Sequence, residues 1–111
     1  MNEKKSQTAY DLSITKESNM DKSYIIIHID GVVQGVGFRA TTKAQATSIG
    51  LTGYVHNLPN GQVEIVAGGL DEQKQQFIHW LKAGGPQFAK ITNLTLHPYA
   101  PNESITTFTI K

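Results

Sequence analysis

The apolar positions of this chain change period along its length. Tyr24 to Ile29 reads YIIIHI, a run rich in β-branched side chains closed by Asp30-Gly31, and it predicts a first strand that ends at that turn pair. Beyond it Phe38, Thr42, Ala46 and Ile49 recur at near-helical spacing, with small alanines that permit close packing and Gly50 as a stop, so residues 38–49 are expected to be helical. LTGYVHN and QVEIVAG flank Leu58-Pro59-Asn60-Gly61, and the Asn-Gly turn pair makes residues 51–68 a β-hairpin. Leu70, Phe77, Ile78 and Leu81 form the stripe of a second helix, with Asp71 and Glu72 at its N-terminal end and Gly84-Gly85-Pro86 as its terminator. ITNLTL and SITTFTI supply two further extended segments, joined by a loop that carries Pro98 and Pro101, neither of which suits a central strand.

The resulting order, βαββαβ plus a last strand, predicts an α/β (α+β) sandwich in which a mostly antiparallel sheet is covered on one face by two helices. Residues 1–22 carry balanced charges and isolated apolar residues without a period, too little to offset the entropy of ordering. They are expected to form a flexible extension ahead of a single domain over residues 23–111, and Met20 is a possible alternative start.

Composition narrows the function classes. With 111 residues, 39% hydrophobic and 17% charged, the chain suits one small domain. Ten bases against nine acids leave a formal charge of +1, so no global field recommends nucleic acid or an anionic membrane as partner, and any anion preference must be local. The absence of cysteine excludes a disulfide framework and every thiolate metal site. Lys4 and Lys5 are not followed by an apolar segment, and Tyr24 to Ile29 is too short to cross a bilayer, so a soluble, cytoplasmic, monomeric protein is expected.

The local anion preference lies in GVVQGVGFR, Gly31 to Arg39. Glycines there can enter positive φ, letting successive N–H groups converge as an anion-binding nest immediately before a helix whose positive dipole end aims at the same place. Arg39, in the first turn, adds a planar fork suited to phosphate or carboxylate. From Gly31 to Val63 there is no Asp or Glu, which also leaves out the acidic ligands a magnesium-dependent phosphotransferase wants. Neither GxxxxGK[ST] nor GxGxxG fits the spacing. On spacing alone, a tight strand-to-helix connection with the Arg39 stem covering apolar surface accounts for the same residues equally well.

VQGVGFR (Val33 to Arg39), GYVHN (Gly53 to Asn57) and then Gly61-Gln62-Val63 together resemble the acylphosphatases, a likeness that runs from about Tyr24 to Lys111 and includes the Gly-Gly-Pro after the second helix. The resemblance implies a ferredoxin-like fold and metal-independent, cofactor-free hydrolysis of the carboxyl-phosphate bond of a small-molecule acyl phosphate. It implies that the loop backbone of Gln34, Gly35, Val36, Gly37 and Phe38 binds the phosphoryl group, and that Arg39 and Asn57 are the catalytic pair. An acyl phosphate is already activated, so no strong nucleophile is needed; holding the phosphoryl group and placing a water in line suffice. A carboxamide is no base at neutral pH, and the sensible role for Asn57 is to orient that water. His56 departs from the family, which usually has Lys, Arg, Gln, Ala or Met before the asparagine. Strand alternation is expected to point it away from Asn57 and so to make it tune activity.

Other candidates carry less. His28, His56, His79 and His97 are too scattered for a sequence-local metal cluster, and Phe77, Trp80 and Leu81 at helical spacing are core first. Thr42 either braces the loop through its hydroxyl or simply packs. The rival function is a non-catalytic ferredoxin-like module binding an anion, RNA or a protein. The central strands lack the aromatic-rich RNA-recognition pattern, which argues against RNA. A second rival is the phosphate-handling part of a larger carbamoyl-transfer machine; the short chain without zinc-binding cysteines favours a free-standing enzyme.

Overall fold

The computed structural model describes residues 23–111, and the expected extension over residues 1–22 lies outside them. In chain order the elements are β1 (Ser23–Val32), α1 (Phe38–Ile49), β2 (Thr52–Asn57), β3 (Val63–Gly69), α2 (Asp71–Lys82), β4 (Lys90–Tyr99) and β5 (Phe108–Ile110). The five strands form one sheet in the order β4-β1-β3-β2-β5, antiparallel except where β5 runs parallel to β2. This is the ferredoxin-like arrangement anticipated from the element order.

Alternation along the strands decides which face is covered. Ile27 and Ile29 of β1, Val55 of β2, and Val63, Ile65 and Ala67 of β3 project to one side. There they meet Phe38 and Ala46 of α1 and Phe77 and Leu81 of α2 in a single buried cluster. Each such side chain contributes roughly 1.5–3 kcal/mol by leaving water, so this face holds the fold. Phe77 and Trp80 stack within it, with centroids 5.8 Å apart, as core rather than as a binding patch. Thr42 is fully buried in α1 and its hydroxyl has no partner, so it packs and does not brace the loop.

Two boundaries differ from the sequence expectation. Asp30-Gly31 does not end β1: the strand continues to Val32, and its pairing with β4 shifts register between those two residues. Gly31 has φ +133°, and a Cβ there would sit 2.0 Å from the Lys90 carbonyl oxygen, so the glycine serves a bulge that lets two backbones close up. Likewise Pro98 lies inside β4 rather than in the following loop, which is possible because β4 is an edge strand and needs only one row of ladder bonds. The final extended segment is cut to three residues, Phe108–Ile110, anchored by the buried Phe108.

Candidate active site

The C-terminal ends of β1, β2 and β5 lie at the same end of the sheet, because β1 and β2 are both antiparallel to β3 and β5 is parallel to β2. The loop after β1 leads into the N-terminus of α1 at that end. Gly35 and Gly37 have φ +79° and +75°, and neither would clash through a Cβ, so backbone direction rather than crowding calls for glycine. Gly37 is the N-cap of α1. No side chain caps this helix, and its first turn contains no acidic residue. α2 differs: Asp71 and Glu72 occupy its first turn, and Gln73 Oε1 accepts the Leu70 N–H at 2.9 Å. The positive end of α1 is therefore left uncompensated by any side chain, the condition under which a helix start attracts an anion.

Val33, Gly35, Gly37, Phe38, Arg39, Ala40, Asn57 and Ile110 line a cavity of about 200 Å³ at this point. Arg39 is its one charged side chain, and no carboxylate lines it. The structure thus brings together Arg39, Asn57, Gly35, Gly37 and Phe38, whereas Gln34 and Val36 are not part of the lining. Gln34 turns its side chain to the β2–β3 turn, where Nε2 donates to the carbonyls of Leu58 and Gln62, both at 2.9 Å. Val36 packs against the core.

Asn57 ends β2 on the same face as the buried Val55, and its Oδ1 is buried with no hydrogen-bond partner among the described residues. An unpaired buried carbonyl oxygen is costly, and beside a cavity it is an acceptor awaiting a donor. The Arg39 guanidinium is exposed and donates from Nη1 to the main-chain oxygen of Lys111 at 3.3 Å. Lys111 is held in turn by its own N–H, which donates to Val55 O at 2.9 Å, and by its ammonium, 3.9 Å from the centre of the Tyr54 ring. Ile110 and Lys111 were not among the sequence candidates. Nothing local marks them, since an alternating terminal segment looks the same whether or not it borders a site.

His56 projects to the opposite face from Asn57, as alternation requires, and pairs across the strands with Glu64. On that face Glu64 accepts hydrogen bonds from the Tyr54 hydroxyl at 3.1 Å and shares one of 2.9 Å with His28 Nε2. Burial, followed by the hydrogen bond and charge of Glu64, pushes the Tyr54 phenol well above the usual tyrosine range. Among the described residues no group of three His, Cys, Asp or Glu side chains is placed to hold a metal ion, and no helix is long and apolar enough to cross a membrane.

A ferredoxin-like sandwich that sets an uncapped helix start, a glycine loop and one guanidinium around a small cavity defines an anion-handling α/β domain. The acylphosphatase family profile matches residues 25–110, and the chain belongs to that family of hydrolases. It is 42% identical over 92 residues to the acylphosphatase of Yersinia pseudotuberculosis, covering 83% of this chain and 99% of that one. Among solved structures it is similar to an acylphosphatase from Coxiella burnetii, with 32% identity, a TM-score of 0.75, and 86% and 96% of the two chains covered. The acylphosphatase from Bacillus subtilis is 38% identical, with a TM-score of 0.71 and coverage of 81% and 98%. The fold also matches part of full-length HypF, solved in a phosphate- and nucleotide-bound form: 29% identity and a TM-score of 0.74 over 81% of this chain, which is 12% of that one.

Proposed function

We propose that the protein hydrolyses the carboxyl-phosphate bond of small-molecule acyl phosphates, without a metal, at the cavity between Arg39 and Asn57. The phosphoryl oxygens are held by the Arg39 fork and by main-chain N–H groups of the loop from Gln34 to Phe38, which stabilise the charge that spreads over them in the transition state. Asn57 Oδ1 accepts a hydrogen bond from a water and sets it in line with the bridging oxygen. The water oxygen bonds to phosphorus while the bond from phosphorus to the bridging oxygen breaks; that electron pair leaves with the carboxylate. The water's proton passes to a phosphoryl oxygen, since no side chain lining the cavity can serve as a base. The products are a carboxylate and inorganic phosphate.

The observation that carries this reading is the buried, unpartnered Asn57 Oδ1 on the same cavity as Arg39. Metal independence is supported by the donor set: a hard divalent ion wants oxygen ligands, and the lining provides no carboxylate. The test is turnover of benzoyl phosphate by the full chain in the presence of chelator, beside Arg39 and Asn57 variants. Hydrolysis that survives chelation and collapses in both variants supports the mechanism. Loss on chelation, or full turnover in either variant, overturns it, and a protein that binds phosphate without hydrolysing the ester would be the anion-binding module instead.

A further inference from the structure

Three large apolar side chains are exposed among the described residues: Val32, Phe88 and Ile110. Of these only Ile110, 41% exposed, lines the cavity that holds Arg39 and Asn57. Its neighbour in β5, Phe108, is 5% exposed and accounts for the anchoring of that strand, so core packing does not explain Ile110. The strand holds it in place from both sides: Ile110 pairs with Val55, and the next N–H, that of Lys111, donates to the Val55 carbonyl. Arg39 donates to the carbonyl of that same Lys111, which sets the guanidinium and the Ile110 side chain next to each other at the cavity mouth.

Building on the acyl-phosphate reading above, we infer that Ile110 receives the acyl group and selects substrates whose acyl part is apolar. Once the phosphoryl group engages Arg39 and the loop, what remains of the lining is hydrocarbon from Val33, Phe38, Ala40 and Ile110. A hydrocarbon or aromatic acyl group gains contact there. An acyl group bearing an amine, a carboxylate or a second phosphate is desolvated against those side chains without a partner, which costs more than the contact returns. The substrate class is therefore aromatic or aliphatic acyl phosphates, and Ile110 is a specificity-determining residue on an element remote in sequence from both Arg39 and Asn57.

The experiment compares kcat/KM for benzoyl phosphate and acetyl phosphate in the unaltered full chain, in Ile110→Ser and in Ile110→Val, with the inhibition constant of inorganic phosphate measured for each. Apolar contacts of this size discriminate by about 10-fold or more, so Ile110→Ser should lower kcat/KM for benzoyl phosphate about 10-fold and for acetyl phosphate by less than about 2-fold. Ile110→Val should fall between, and phosphate inhibition should stay unchanged in both. Equal losses on the two esters, or a parallel loss of phosphate affinity, overturn the assignment because Ile110 would then act through Arg39 or the fold. Should Ile110→Ser not fold, the graded response of Ile110→Val decides alone: a change in the benzoyl-to-acetyl ratio supports the role and an unchanged ratio removes it. Failure of the unaltered protein to hydrolyse either ester overturns the hydrolytic reading itself, a result distinct from hydrolysis without selectivity.

Discussion

Gln34 in the loop after β1 donates its side-chain N–H to the main-chain oxygen of Gln62 at 2.9 Å, across 28 residues of sequence. The same amide nitrogen reaches Leu58 O, directly after Asn57, so the glycine loop and the end of β2 are tied into one unit. The turn is itself closed by Leu58 N–H donating to Gln62 O, and Gln62 Nε2 donates to Asp30 Oδ1 at the foot of the loop. The distance between the phosphoryl-holding loop and the water-orienting amide is thus set by a side chain that does not line the cavity.

Replacing Gln34 by Ala removes both bonds and leaves two carbonyls short of a donor. At a net value near 1 kcal/mol per bond, stability should drop by about 1–2 kcal/mol. Loosening the loop should also weaken competitive inhibition by phosphate more than it lowers kcat. Denaturant unfolding and an inhibition titration on Gln34→Ala check the two parts separately.

Arg39→Lys keeps the charge and loses the fork. Because Arg39 is exposed and bonded only to Lys111 O, the fold should be unaffected, with unfolding midpoints unchanged. Activity should fall by roughly 10²–10³, the scale of losing an oriented transition-state donor. Near-normal turnover would place the guanidinium outside the mechanism.

Asn57→Ala removes the acceptor for water while sparing the phosphoryl contacts. The expected pattern is a kcat lower by about 10²-fold with phosphate inhibition little changed, the signature of an interaction used in the transition state rather than in ground-state binding. A rise in KM at constant kcat would instead make Asn57 a substrate-binding group.

Tyr54 governs alkaline stability. Its phenol is held above the usual tyrosine range by burial and by Glu64, so the folded state keeps a proton that the unfolded chain releases near pH 10. The sign follows: the contribution is complete below about pH 10 and is lost as pH climbs toward the folded value. Thermal melts should show the midpoint of the unaltered protein falling between about pH 9 and 11.5, and falling less over that span in Tyr54→Phe. Equal declines in both proteins would remove Tyr54 as the cause.

What could be read without coordinates was whatever repeats or interrupts locally. The period change at Phe38, the Asn60-Gly61 turn and the glycines before Arg39 each act over a few residues, so they disclosed the element order, the ferredoxin-like class and the loop that houses the candidate site. The motif likeness added Asn57, whose role no spacing would have indicated. Asp30-Gly31 and Pro98 misled for a physical reason: a turn pair becomes a bulge, and a proline becomes tolerable, only when the neighbouring strand is known to be β4 on a sheet edge.

Tertiary structure alone decided the far wall of the site. β5 lies parallel to β2, and this puts Lys111 against an arginine 72 residues earlier and Ile110 into the cavity beside it. A run such as FTI carries the same alternation on either edge of the sheet or on none. Its place is set by Phe108 finding the core under α1 and by the open edge of β2, long-range burial and hydrogen bonding that a linear pattern does not encode. The chemistry-bearing residues are local in sequence because loop and strand end are local structures; the groups that set their spacing and choose the acyl chain come from wherever the sheet happens to close.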